Sequence, residues 1–123
     1  MPSKFDIVAE PEFDLIRITM SGFFEPADIA SFKAARDEAH QGLRSKPNQH
    51  LTLVDMTSLL IQSQETVEGF RQLLMNPAFA SKRIAIVVSQ TLARMQIERA
   101  AAGRDVSFFV DDVAAARSWI LTG

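Results

Sequence analysis

Phe5, Ile7 and Ala9 alternate with Asp6, Val8 and Glu10, and beyond Pro11-Glu12 a second alternating run sets Phe13, Leu15 and other apolar residues against Asp14, Arg17 and Thr19. A period of two sends successive side chains to opposite faces of a strand, so the pattern predicts two short antiparallel strands joined by a tight turn. Ser21-Gly22 ends the run. Pro26 then stands where a first helical residue is favoured, with Asp28 in the first turn, where the helix dipole favours negative charge. Ile29, Phe32, Ala35, Ala39 and Leu43 recur at helical spacing on a surface otherwise polar with Lys33, Arg36, Asp37 and Glu38. This predicts a one-sided amphipathic helix ending near Gly42.

Ser45-Lys46-Pro47-Asn48 is loop chemistry. It leads into Leu51-Thr52-Leu53-Val54-Asp55, too short for a helix and suited to a buried strand with Asp55 at its carboxyl end. Ser63 is placed to cap a second helix carrying Val67, Phe70, Leu73 and Leu74, which Asn76-Pro77 must stop. Arg83-Ile84-Ala85-Ile86-Val87-Val88-Ser89 is the clearest strand, apolar on both faces as a central strand with helices on each side should be. Thr91 is a candidate cap for a third helix through Leu92, Met95 and Ile97, closed by Gly103. Val106 to Val110 reads as a last strand. Asp111-Asp112 opens a final helix in which Val113, Ala116 and Ile120 share a face beside Trp119.

The order ββαβαβαβα predicts an α/β fold: one domain over residues 1–123, with a mixed, mostly parallel sheet of about five strands, about four helices and an antiparallel hairpin at one edge. At 123 residues one core is enough. Hydrophobic residues make up 47% and charged residues 23%, which fits a packed globule rather than a disordered chain.

Thirteen Lys and Arg stand against fifteen Asp and Glu, and the basic residues are scattered, so no basic stripe points to nucleic acid. The chain has no cysteine, which removes disulfides, thiolate nucleophiles and Cys-ligated zinc and suits a reducing, cytoplasmic setting. No apolar run approaches the roughly 18 residues of a membrane span, and the amino terminus lacks the pattern of a signal peptide. The five glycines are isolated, so no phosphate-binding loop exists and no cofactor is expected.

The element order, together with the Leu-Thr-Leu-Val-Asp strand, the Lys-Arg-Ile-Ala-Ile-Val-Val strand and the terminal Phe-Phe-Val-Asp-Asp-Val-Ala-Ala-Ala-Arg-Ser-Trp-Ile-Leu segment, resembles the SpoIIAA-like family over nearly the whole chain. The resemblance implies a STAS-type domain, related to anti-sigma-factor antagonists and more distantly to CRAL-TRIO lipid-binding domains. STAS antagonists carry an Asp-Ser-Ser-Gly motif whose first serine is phosphorylated to control partner binding. The matching positions here read Ser63-Gln64-Glu65-Thr66, so Gln64 stands at the phosphoacceptor position and the usual switch is missing. Ser63, one residue earlier, is the nearest hydroxyl.

Open parallel sheets bind ligands beyond the carboxyl ends of their strands, which gathers Asp55, Ser63, Ser89, Thr91, Arg94 and Asp111 on one rim. An arginine beside helix amino termini would suit an anion, although capping alone accounts for Ser63, Thr91 and Asp111. His40 and His50 fall toward the opposite edge of the sheet, without the spacing of a metal or catalytic pair, and read as surface or dipole-complementing residues. Asp37-Glu38 and Asp111-Asp112 are sequence neighbours that point apart on a helix.

Met56, Met75 and Met95 with Leu59, Leu60 and Ile61 form an apolar set around the second and third helices. The Ser58-Leu59-Leu60-Ile61 connector, read as a loop, offers a partner surface. Three functions follow. The first is a non-enzymatic binding or regulatory module that contacts a protein through Asp55, Leu59, Leu60, Ser63, Ser89, Arg94 and Asp111. The second is a carrier of a small apolar or amphipathic ligand, which requires a cavity beneath the second and third helices. The third is an enzyme using Asp55, Ser89 and Arg94, which requires their convergence. A hairpin edge strand also makes a homodimer an expectation.

Overall fold

A computed structural model describes residues 2–43, 49–75, 81–103 and 106–122. Strand β1 (Lys4–Glu10) and strand β2 (Leu15–Gly22) form the hairpin, and α1 (Pro26–His40), β3 (Leu51–Leu59), α2 (Gln64–Met75), β4 (Arg83–Val88), α3 (Leu92–Ala100), β5 (Val106–Val110) and α4 (Val113–Thr122) follow. The hairpin connection is a single 3-10 turn, Pro11–Phe13, closed by Asp14 in the left-handed region at φ 55°. The loop at Ser45 to Asn48 and the Asn76-Pro77 stop fall outside the described residues.

The sheet runs in sequence order, β1-β2-β3-β4-β5. β1 pairs antiparallel with β2, and the remaining neighbours pair in parallel. Each parallel crossover therefore steps one strand in the same direction, and right-handed connections put α1, α2 and α3 on one face. Among the described helices only α4 covers the other face, packing on β3, β4 and β5.

Two cores result. Ile16, Ile18 and Met20 of β2, Val54 of β3, and Ile84, Ile86 and Val88 of β4 face the three-helix layer. Leu15, Leu53, Ala85 and Val87 alternate to the other side and meet Ala116 and Ile120 of α4. The period of two in β4 thus feeds both layers. Toward the hairpin the α4 face is polar, with Asp6, Arg17 and Thr19 exposed.

Four phenylalanine rings fasten α1 and α2 to the sheet. Phe5 meets Phe32 edge-on at 5.4 Å, Phe32 meets Phe70 at 5.9 Å, and Phe70 meets Phe24 at 5.5 Å between centroids. These T-shaped pairs add directional attraction to the apolar area they bury. Pro26 opens α1 as predicted, and Asp28 reaches back to the Glu25 amide at 2.8 Å within a capping box. Gly103 takes φ 91°, a left-handed conformation suited to glycine just after α3.

Candidate functional site

Beneath α1 and α2 the core does not close. A cavity of about 80 Å³ lies between these helices and the sheet, walled by Ile16, Ile18, Val54, Phe70, Leu73 and Ile86 among others. A second cavity of about 40 Å³ lies beneath α2 and α3, bordered by Leu59, Val67, Ala93 and Ile97. Met56, Phe70, Leu74 and Ile86 line both, so the two cavities are neighbours under α2.

The first cavity is polar at one end. Arg36 and His40 from α1, His50 and Thr52 from the start of β3, and Ser81 ahead of β4 line it. Phe32, Arg36 and His40 are four residues apart, so α1 presents them one above another on a single stripe. The stripe that faces the sheet therefore carries a guanidinium and an imidazole, and Arg36 is only 9% exposed. This corrects the expectation that Arg36 belongs to the polar surface of α1. The Phe32-Arg36-His40 spacing was the sequence signal that could have found it.

The histidines are also placed differently from a surface reading. His50 is 3% exposed, and its ring centroid lies 4.3 Å from that of His40. His50 Nε2 is 3.0 Å from Ser81 Oγ, and Ser81 Oγ is hydrogen-bonded to Thr52 Oγ1. The backbone amide of Lys82 donates to the His50 carbonyl at 2.7 Å, fixing this segment against β4. Burial, then the neighbouring His40, pushes the His50 imidazole down to about 4. Burial and the Arg36 charge lower His40 as well. Burial also lowers Arg36, opposed by Asp37 at 3.8 Å, a carboxylate that Lys33 shares at 3.4 Å.

The strand-end rim is a different place. Asp55 lies within β3, opposite Thr19 and Val87, because the strand continues to Leu59. Its Oδ1 accepts from the Thr57 amide at 3.0 Å and the Thr57 hydroxyl at 2.8 Å. Ser89 Oγ lies 3.0 Å from the Thr57 carbonyl and 2.9 Å from Asp111 Oδ1. Asp111 is left-handed at φ 52°, and Asp112 is the residue that caps α4, accepting from the Ala115 amide at 2.9 Å. Arg94 pairs along its own helix with Glu98 at 2.7 Å, and Thr91 makes no side-chain cap. Asp55, Ser89 and Asp111 are thus joined through Thr57, whereas Arg94 takes no part in the bonds that join them.

Ser63 does cap α2, its Oγ accepting from the Thr66 amide at 3.2 Å. Leu59 is buried in β3 and borders the second cavity, while Leu60 and Ile61 are exposed. Gln62 next to them is buried and ties together the end of β2, the connector after β3 and α3. Its amide group donates to Gly22 O at 2.9 Å and Leu60 O at 2.5 Å, and its Oε1 accepts from the Phe24 amide at 2.7 Å. Its backbone pairs reciprocally with the Gln96 side chain of α3 at 2.7 and 2.6 Å. No hydrophobic pattern distinguishes a buried glutamine of this kind from a loop residue.

Among the described residues no group of three or more His, Asp or Glu side chains is placed to hold a metal ion, and no helix is long and apolar enough to cross a membrane.

The fold is SpoIIAA-like. An uncharacterised protein from the DUF3478 family with a SpoIIAA-like fold, from Shewanella loihica PV-4, superposes with a TM-score of 0.71 at 21% identity, covering 96% of this chain and 94% of that one. No protein-family model and no curated protein matches the chain in sequence.

Proposed function

We propose that this chain is a non-enzymatic binding module whose ligand is a small apolar or amphipathic molecule held between the sheet and the α1–α2 layer. The observation that carries the reading is the pair of neighbouring cavities beneath α2, with aliphatic and aromatic walls and, in the larger, a polar end at Arg36, His40, His50, Thr52 and Ser81. Ligand sites are typically of this composition, a mostly apolar hollow with a few polar groups that orient the guest. The separation of Arg94 from the Asp55–Thr57–Ser89–Asp111 network weighs against an acid-base or nucleophilic site on the rim.

Native mass spectrometry of the purified protein, under gentle and then denaturing conditions, tests the reading. A mass of a small organic molecule that survives the first condition and leaves in the second is the expected result. A ligand-free protein that also fails to take up small amphiphiles added in excess would overturn it.

A second reading, a protein-interaction module, is favoured by the exposure of Phe23, Leu60, Ile61 and Met95. The Leu60 amide bonds the Gly22 carbonyl at 3.2 Å, which puts Phe23 and Leu60 next to each other at the ends of β2 and β3. Exposed neighbouring apolar side chains are a usual mark of a contact surface. Loss of partner capture on Leu60→Ser and Ile61→Ser replacement, with cavity binding intact, would separate this role from the first.

A further inference from the structure

The two edges of the sheet are built differently. β1 carries Lys4, Asp6 and Glu10 at alternate positions, and α1 packs over it, where Asp28 accepts from the Ser3 hydroxyl at 3.0 Å. Charges and a covering helix are the usual guards of an open edge. β5 reads Val106-Ser107-Phe108-Phe109-Val110, with no charge and no proline, and all five of its side chains are only half-buried. Among the described residues no strand pairs with its outer side. We infer that a second copy of the chain docks there, β5 against β5, antiparallel about a two-fold axis at Phe108.

The backbone is in phase for this pairing. The Asp111 amide donates to the Val88 carbonyl at 2.8 Å, in a ladder that sets Val88 opposite Val110. Successive residues of a strand turn their N–H and C=O groups to opposite sides, so Ser107 and Phe109 point theirs at β4, whereas Val106, Phe108 and Val110 point theirs outward. A two-fold normal to the sheet sets Phe108 against Phe108 and Val106 against Val110, each pair exchanging both hydrogen bonds. This register joins all five residues. Opposed residues share a face, so Phe108 and the valines pair on the side of the three-helix layer, and Ser107 meets Phe109 on the side of α4. Aromatic and β-branched cross-strand pairs of this kind stabilise a sheet.

The helix above adds charge complementarity. α3 turns Gln96 and Ala100 toward the cavity it shares with α2. At about 100° per residue, Arg94 and Glu98 fall on the opposite flank, the side of β5, where they pair at 2.7 Å. Nine residues of helix and five of strand are both about 13 Å long, so the middle of α3 lies level with Phe108. The same axis therefore sets two antiparallel α3 helices side by side, with Arg94 of each copy facing Glu98 of the other. An extended segment of another protein would find the backbone groups of β5 but bring no second α3. Pairing of two copies also closes on itself and leaves the guarded β1 strands as the only edges of the joined sheet.

Sedimentation equilibrium of the intact protein from about 1 to 100 µM tests this and should show monomers passing into dimers, at the weak end of the affinities such contacts reach. Ser107→Lys puts like charges on the diagonal across the axis and should raise the dissociation constant at least about tenfold. Arg94→Glu and Glu98→Arg should each weaken self-association by about threefold or more, and an equimolar mixture of the two should recover it, the acidic flank of one then facing the basic flank of the other. A protein that stays monomeric throughout the range overturns the proposal and leaves the edge to a strand of another protein. A dimer that a folded Ser107→Lys variant leaves unchanged uses a different surface. Should that variant not fold, the charge variants decide, since both positions lie on the outside of α3, and a mixture that associates no better than its parts would sink the register.

Discussion

His40 and His50 lie against each other at 4.3 Å between ring centroids, one at the last turn of α1 and the other just ahead of β3. Ten residues apart in sequence, they share the polar end of the cavity with Arg36. Three basic groups packed together in this way resist a further proton.

The first prediction concerns acid stability. His50 is lowered to about 4 in the folded protein against an ordinary value of 6.5. The unfolded chain therefore binds more protons, and the stability contributed by neutral His50 is present above pH 6.5 and is lost as pH falls toward 4. At 1.36 kcal/mol per unit, the loss between pH 7 and pH 4 is on the order of 2–3 kcal/mol. Urea unfolding of the protein and of His50→Gln across this window measures it. Gln keeps a polar group near Ser81 and does not titrate, so the variant should show a flatter profile. Parallel profiles would refute the prediction.

Most of the fold was legible because backbone periodicity reports burial directly. Among the described residues the nine strands and helices follow in the predicted order, although β3 runs on past Asp55 to Leu59 and Phe13 belongs to the hairpin turn and not to β2. Ala116 and Ile120 are buried on one face as expected, whereas Val113, read with them, is exposed at the first turn of α4. The site was less legible. Periodicity treats Arg36 and His40 as solvent-facing because they are polar, yet they share the stripe of Phe32 toward the sheet. Asp55 reads as the end of a strand only because Met56 to Leu59 lose the clear apolar pattern, although their backbone remains in β3. Hydrogen-bond knots such as Gln62 leave no trace in a hydrophobic pattern, since their partners are backbone groups distant in sequence.

That knot yields the second prediction. Gln62 satisfies the Phe24 amide and the Gly22 and Leu60 carbonyls in a site where it is 6% exposed. Gln62→Leu keeps the bulk and strands the Phe24 amide and the Leu60 carbonyl, the Gly22 carbonyl keeping the Leu60 amide, and each stranded group costs about 1–3 kcal/mol when buried and unpaired. A loss of about 2 kcal/mol or more in chemical denaturation is expected. Hydrogen exchange should also show faster opening of the Phe24 amide, and a loss below about 1 kcal/mol would mean that water substitutes for the side chain.

Gly69 gives the third. A methyl group added there would collide with Ile29 Cδ1, where α2 packs on α1. Alanine gains about 1 kcal/mol of helix propensity, and the clash with a flexible side-chain end consumes part or all of it. Gly69→Ala alone should therefore change stability little. In an Ile29→Val background, which lacks Cδ1, the same replacement should stabilise by about 0.5–1 kcal/mol. A double-mutant cycle reads the coupling, and additivity would show that the two helices do not press on each other at this point.

The fourth concerns the other face. Arg117 of α4 grips Glu10 of β1 at 2.6 and 3.1 Å, and Arg17 holds the same carboxylate at 3.1 Å. The Arg117 hydrogen bond lowers the Glu10 carboxyl below its ordinary value of 4.5. A carboxylate depressed in this way stabilises above that value and loses its contribution as pH falls through the lowered one. Glu10→Gln should cost about 0.5–1 kcal/mol at pH 7, the partners being partly exposed, with less cost in high salt. As pH falls through the lowered value the variant and the parent should converge, and a gap that persists once the carboxyl is protonated would assign the effect to packing instead of charge.

The last prediction joins stability to binding. A hollow in a core is an energetic debit in the free protein, because its lining atoms lack partners on one side. Val54 is 6% exposed and borders the first cavity, in the middle of β3. Val54→Ile adds one methylene toward that space and retains the β-branched shape that a strand favours. Burying it should raise the stability of the free protein by up to about 0.8 kcal/mol. The same carbon takes room from the guest, so a small amphiphile such as hexan-1-ol should bind the variant more weakly than it binds the parent. Thermal unfolding with and without hexan-1-ol measures both terms. A binding cavity requires opposite signs, a higher midpoint without ligand and a smaller ligand-induced rise. If Val54→Ile instead lowers the midpoint and leaves hexan-1-ol binding unchanged, the space beside Val54 is not where the ligand sits.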